Sequence, residues 1–263
     1  MQQVTLNTLK ETKLAGKKIV CLTAYDAGFA RLLDKAGVDV ILVGDSLGMV
    51  LHGENTTLKV SMSDMIYHTR IVNAGCERAL IVGDMPFMSY ASPAQALGNA
   101  ARLMSEGGAE VVKLEGGAVI ADTIRYLDQH GIPVCAHLGL TPQSVHKLGG
   151  YHVQGRDEDT AKQILEDAKL LEQAGAVMLV LECVPHQLAA EITGSLSIPV
   201  IGIGAGAQCD GQVLVLYDIL GITERQLRFS KNFLEPATSI QSAIENYIKA
   251  VRSGEFPAAE HQY

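Results

Sequence analysis

VDVILVGDS (38–46) is an apolar, β-branched run that stops on Asp45 and Ser46, and the chain repeats that design four more times. ALIVGD (79–84) ends on Asp84, EVVKLEG (110–116) carries Lys113 and Glu115, PVCAHLG (133–139) carries His137, and VMLVLEC (177–183) carries Glu182. Short, nearly continuous apolar runs rich in Val and Ile read as strands buried on both faces. A single ionisable residue where such a strand meets a loop could be an accident of the surface. A series of them around a closed parallel sheet points into one mouth, where barrel enzymes keep their chemistry.

Helical patterns fill the spaces between these runs. KIVCLTAYD (18–26) precedes AGFARLLDKAG, in which Phe29, Leu32, Leu33 and Ala36 share a helical face and Gly37 can end the helix. A helix is expected from about Asp64 to Ala74. Ser92, Pro93 and Gln95 spell a cap, a first-turn proline and a capping-box partner, with the helix ending at Gly107 and Gly108. Further helices are expected over about 118–130, up to Ala174, and after LVLECVP with Pro185 in the first turn. The seventh strand is PVIGIG (199–204) and the eighth is best assigned to VLVLYD (213–218), a spacing short for a crossover containing a helix. A last amphipathic helix places Ile240, Ala243, Ile244, Tyr247, Ile248 and Val251 on one face, with Thr238 and Gln241 as its capping pair, and should pack outside the sheet. Strand and helix alternate throughout, so we expect one α/β domain over residues 1–263, a (β/α)8 TIM barrel.

The 263 residues suit a single barrel, and 48% hydrophobic content is ample for its core. A formal charge of -8, with Lys and Arg scattered, argues against nucleic acid as a partner. No apolar run approaches the roughly 20 residues that cross a bilayer, and the start has no signal-peptide pattern, which points to a soluble cytoplasmic protein without a membrane partner. The five cysteines form no CxxC pair, and Cys21, Cys135 and Cys183 lie in strand-like runs, as small core residues do in a reducing compartment.

Asp45, Asp84 and Glu115 offer hard oxygen ligands from three strands, with no zinc-type Cys or His spacing. That chemistry suits Mg²⁺, which takes few protein carboxylates and keeps positions for water and substrate oxygens. The competing reading makes each acid a cap for the helix that follows. Lys113 and Glu115, two apart in a strand, share a face, which is either the lumen or an outward ion pair. His137 is placed to bond a substrate oxygen or move a proton, or else is a satisfied core histidine. Glu182 ends the run VMLVLE, and its position does not choose between base and metal ligand. Ser46 could bind a carboxylate, and no GxSxG elbow makes it a nucleophile. The glycines of GIGAGA (202–207) miss the GxGxxG spacing and read as room for close backbone approach to a substrate.

Taken together, TAYD (23–26), VGDSLGM (43–49), YHT (67–69), DMPFMSY (84–90), VKLEGG (112–117), HLGLTPQS (137–144), GGYHVQGR (149–156), LVLECVP (179–185), IPVIGIGAG (198–206), DGQVLV (210–215) and KNF (231–233) resemble the ketopantoate hydroxymethyltransferase family across nearly the whole chain. Departures are small: Ala136 stands where glycine is common, and the EHQY tail is variable. The resemblance implies transfer of a hydroxymethyl group from 5,10-methylenetetrahydrofolate to 3-methyl-2-oxobutanoate, giving 2-dehydropantoate on the way to pantothenate. It implies Mg²⁺ held by Asp45, Asp84 and Glu115, and keto-acid contacts from Asp45, Ser46, Asp84, Lys113 and His137. Glu182 is implied as the proton acceptor, and a homo-oligomer, a decamer, as the assembly. The alternatives are a Mg²⁺-dependent lyase or mutase of the isocitrate lyase and phosphoenolpyruvate mutase group, or a catalytically silent barrel that binds an oxo acid.

Overall fold

A computed structural model describes residues 2–224 and 226–263. Eight parallel strands close into a barrel in sequence order. They are β1 (Ile19–Thr23), β2 (Val40–Val43), β3 (Leu80–Asp84), β4 (Val111–Glu115), β5 (Val134–Gly139), β6 (Ala176–Glu182), β7 (Val200–Ile203) and β8 (Gly211–Leu214). The helices are α1 (Leu6–Leu14), α2 (Ala27–Ala36), α3 (Leu47–Val50), α4 (Met62–Asn73) and α5 (Pro93–Ser105) in the first half. In the second half they are α6 (Ala121–Gln129), α7 (Glu158–Gln173), α8 (His186–Ser195), α9 (Leu216–Ile219) and α10 (Ile240–Ser253). The strands are buried almost throughout, which is why their sequences lack the alternation of a one-sided sheet. Among the described residues no helix is long and apolar enough to cross a membrane.

Local chemistry sets most helix ends. Asp26 accepts from the amides of Gly28 and Phe29 to start α2, and Gly37 ends it in the left-handed conformation at φ 97°. Ser92 accepts from Gln95 N, while the Gln95 side chain reaches past the cap to Ala91 N. Several expectations need correction. The helix expected at Asp64 begins at Met62, because Ser61 caps it with Asp64 as the reciprocal partner. Pro185 is the cap of α8 and stands before its first turn. Ser239 and Ser242 form the capping box of α10, so Ile240 sits at the exposed start while Ala243, Ile244, Tyr247, Ile248 and Val251 are buried. The eighth strand lies two residues earlier than expected, and Leu216–Ile219 turns into a short helix. No helix joins β7 to β8: residues 204–210 return through bends and a turn, with Gly204 and Gly206 at positive φ, held where Lys18 Nζ donates to the carbonyls of Ala207 and Cys209 and Asp210 accepts from Val200 N. The N-terminal helix α1 and the one-turn α3 had no expected counterpart, because neither has a strong apolar stripe.

Closure depends on α10. It packs against α2 and β1, outside the barrel as expected. Its fully buried Tyr247 donates to Cys21 O on β1 at 3.0 Å and lies 3.1 Å from Gln212 O on β8, across the seam where the sheet closes. Phe233 and Phe256 pack edge-on against the same ring. Tyr247→Phe keeps the packing but removes the one hydroxyl donor at the seam, so we expect a loss of about 1 kcal/mol in urea unfolding. A change below a few tenths would remove the hydroxyl from the account of closure.

Candidate active site

Parallel register assembles the site. Asp84 on β3 is the Cα partner of Lys113 on β4, Glu115 is the partner of His137 on β5, and Gly139 is the partner of Glu182 on β6. Side chains in register share a face, so these residues project into the lumen at its C-terminal mouth. Asp45 follows β2 and joins them: its amide donates to Asp84 Oδ2 at 3.1 Å. Asp45, Asp84, Lys113, Glu115 and His137 are each between 2% and 6% exposed, so none is a surface charge. The outward ion pair is thereby excluded for Lys113 and Glu115. Capping is excluded for Asp45, whose Oδ2 accepts from Gln143 Nε2 at 2.8 Å.

Lys113 is the hub. Its ammonium lies 3.0 Å from Asp84 Oδ1, 3.9 Å from Glu115 Oε1 and 3.2 Å from His137 Nδ1. Burial opposes its charge, but Asp84, Glu115 and Asp45 outweigh burial and hold the amine above its ordinary range. His137 Nδ1 lies 3.4 Å from Glu115 Oε1, and its Nε2 lies 3.3 Å from Glu182 Oε2. Burial and Lys113 disfavour the imidazolium, yet the two carboxylates lift its pKa from 6.5 to about 9. Against the cost of burial, His137, Lys113 and the Gln143 amide keep Glu115 ionised below the usual carboxylate range.

The inner acids are less well matched. Burial, then repulsion from Asp84 and Glu115, pushes Asp45 well above its ordinary value. Asp84 is raised by burial in spite of Lys113, and its Oδ1, although near the ammonium, has no aligned hydrogen-bond donor. Two buried carboxylates held above their ordinary range, one of them with an oxygen that no donor meets, suit a hard divalent cation, which takes one or two protein carboxylates and fills its shell with water and substrate oxygens. Glu115 differs: its Oε2 accepts from Gln143 N at 2.9 Å and its Oε1 faces His137. Accordingly, among the described residues no three His, Cys, Asp or Glu side chains stand at metal-holding distances.

Glu182 closes β6 with its side chain 14% exposed, at the rim. The next residue, Cys183, takes φ 46°, a left-handed conformation that costs a non-glycine residue on the order of 1 kcal/mol and turns the chain sharply after the carboxylate. Gly139 (φ 87°) makes room beside it, since a Cβ there would fall 2.1 Å from Glu182 O. Ser46 is partly buried with its Oγ 2.8 Å from Tyr25 OH. Of the GIGAGA glycines, Gly204 abuts Phe229 and Tyr263, and Gly206 abuts His186 and Gln262, close approaches made within the chain itself.

Gln143 had no assigned role, although it lies within LTPQS. It donates to Asp45 and to Met85 O, its amide reaches Glu115, and its Oε1 accepts from Tyr90 OH at 2.5 Å. Tyr25 and Tyr90 were likewise inside quoted motifs, and a glutamine or tyrosine in a loop gives no periodic signal of where it points. Two cavities, of about 380 and 430 Å³, lie away from this mouth, one lined by Thr5, Leu6, Asn7, Leu80 and Glu110 and the other by Thr12, Gly16, Lys17, Lys18, Asp39 and Arg252. Neither includes an ionisable residue of the site.

The family model described as Ketopantoate hydroxymethyltransferase matches residues 3–259. The chain is 58% identical over 264 residues, all of both chains, to the 3-methyl-2-oxobutanoate hydroxymethyltransferase of Nitrosococcus oceani. It is 58% identical over 261 residues, 99% of each, to the protein of the same name from Thiobacillus denitrificans. Among solved structures, 2,3-dimethylmalate lyase, a PEP mutase/isocitrate lyase superfamily member, aligns over 84% of each chain with a TM-score of 0.60 and 16% identity, a likeness of fold alone.

The raised imidazole yields a pH test. Because the folded pKa exceeds the unfolded value, the stability that His137 contributes is full below pH 6.5 and is lost as pH rises through about 9. With a metal chelator present, the melting-temperature gap between wild type and His137→Gln should be widest near about pH 6 and shrink by about pH 10. A gap independent of pH would show that the imidazolium is not held in this cluster.

Proposed function

The chain belongs to the ketopantoate hydroxymethyltransferase family, and on that premise we propose how this mouth performs the transfer. The enzyme adds a hydroxymethyl group to 3-methyl-2-oxobutanoate to form 2-dehydropantoate. The proposed donor is 5,10-methylenetetrahydrofolate. In the overall balance the C3 proton is removed, both C–N bonds of the methylene bridge break, and one C–C and one C–O bond form. Water supplies the hydroxyl oxygen, and the two folate nitrogens recover protons.

In this reading Asp45 and Asp84 hold Mg²⁺, supported by the burial of both and by the unpartnered Oδ1 of Asp84. Glu115, also expected in the shell, turns its oxygens to Gln143 and His137 and would support the site through those contacts. When bound, the cation draws charge from the keto and carboxylate oxygens and lowers the cost of the negative charge that enolisation develops. Lys113 supplies a fixed positive charge to the keto acid from within the same cluster. Ser46 and the Asp45 side meet the substrate from β2. Glu182, at the rim and open to a ligand, removes the C3 proton, and His137, 3.3 Å from Oε2, orients the carboxylate and stabilises its charge.

The observation that carries this assignment is the division among the acids: Glu182 stands apart at the rim, while Asp45, Asp84 and Glu115 are packed around Lys113. Glu182→Gln should bind Mg²⁺ and keto acid as wild type does in calorimetry and lose exchange of the C3 proton with solvent by about a hundredfold or more. Asp84→Ala should weaken both binding events together. Wild-type exchange in the first variant, or wild-type affinities in the second, would overturn the respective role.

The reading also includes a cytoplasmic location and a homo-oligomer, a decamer. All five cysteines are unpaired, as in a reducing compartment. Leu14 and Val119, at 86% and 87% exposure, are large apolar groups that a subunit contact would cover. Light scattering should give a decamer's mass, and a monomer mass would end that part of the proposal.

A further inference from the structure

The loop from β5 to α7 is longer than a connection needs, and both its ends are fastened beside Glu182. Leu140 N donates to Glu182 O at 2.9 Å, and Gln154 N donates to Cys183 O at 3.0 Å. Between these anchors Tyr151 reaches away from β6, and its hydroxyl lies 3.9 Å from Met49 Sδ. Met49 belongs to α3, directly after Asp45 and Ser46, with its amide bonded to Ser46 O. In the closed order of eight strands, β2 and β6 stand on opposite sides. A side chain rooted at the β6 end that touches the β2 end therefore crosses the mouth above the charged cluster. The phenol responds to what lies below: burial, then Glu182, Asp45 and Glu115, raise its pKa.

Among the described residues the Tyr151 hydroxyl has one hydrogen-bonding contact, to Met49. Tyr151 is 48% exposed and Met49 is 38% exposed, and the contact between them is one weak hydroxyl–thioether approach. The pair forms an apolar bar with buried charge beneath and solvent above. The keto acid, bound to the acids and Lys113, occupies the floor, so the second substrate has to approach from the solvent side. Its methylene must also reach the carbon that Glu182 has deprotonated. A flat heteroaromatic ring matches a half-exposed tyrosine face and a polarisable thioether.

We propose that Tyr151 and Met49 form the subsite for the pterin ring of the one-carbon donor, which packs on the tyrosine face and displaces the Tyr151–Met49 contact. The inference rests on the folate-dependent transfer proposed above. Two assays separate the steps: C3 proton exchange of 3-methyl-2-oxobutanoate without folate, and transfer with 5,10-methylenetetrahydrofolate. Tyr151→Ala should raise KM for the folate by about tenfold or more, with exchange and keto-acid KM within about twofold of wild type. Tyr151→Phe, which keeps the ring, should recover most of the folate KM, and Met49→Ala should raise it less than Tyr151→Ala. The subsite is overturned if Tyr151→Ala leaves the folate KM within about twofold, or slows exchange as much as transfer. Wild-type protein that catalyses exchange and yet transfers nothing from the folate would overturn the donor reading, and the subsite with it.

Discussion

One buried ammonium holds the mouth of this barrel together. Lys113 stands within salt-bridging distance of Asp84 and Glu115 and within hydrogen-bonding distance of His137, in a place almost closed to water. Charges there are costly unless compensated, and a buried ion pair contributes little to stability beyond offsetting its own desolvation. The compensation is also unequal. Glu115 is satisfied by His137, Lys113 and Gln143, whereas Asp45 and Asp84 remain raised. In the function proposed for this mouth, a divalent cation would offset that imbalance, a use for so much charge in the core.

The scaffold around the cluster is rigid where it must be. Register fixes Asp84 beside Lys113 and Glu115 beside His137 without help from loops. The β1–β8 pairing closes the sheet that imposes the register, and Tyr247 from the last helix braces that seam. Gln143 then ties the β5 loop to Asp45 and Met85 through its side chain and to Glu115 through its backbone amide, linking three strand ends through one residue. The same loop returns to Cys183 and brings Tyr151 over the mouth, so the segment that completes the floor also supplies the roof.

Much of this was legible in the chain. Continuous apolar runs marked the strands because a parallel sheet covered by helices is buried on both faces, and the glycine, serine and proline signals placed most helix ends. The errors have local causes. The capping pair of α10 was displaced by one residue because Thr238 and Ser239 adjoin, and only backbone geometry selects which one caps. The eighth strand was shifted because VLVLYD is apolar enough for strand or helix, and the short turn from β7 supplied no helix to mark its start.

By itself the sequence determined the barrel and the family, and it put Asp45, Asp84, Lys113, Glu115, His137 and Glu182 at strand ends, since periodicity and motif are properties of the chain. Tertiary structure alone decided which of them touch. Register set Lys113 between Asp84 and Glu115, and His137 between Glu115 and Glu182. It also recruited Gln143 and Tyr151, whose positions in irregular loops follow no period. Distance and burial govern electrostatics, and neither is a function of separation along the chain.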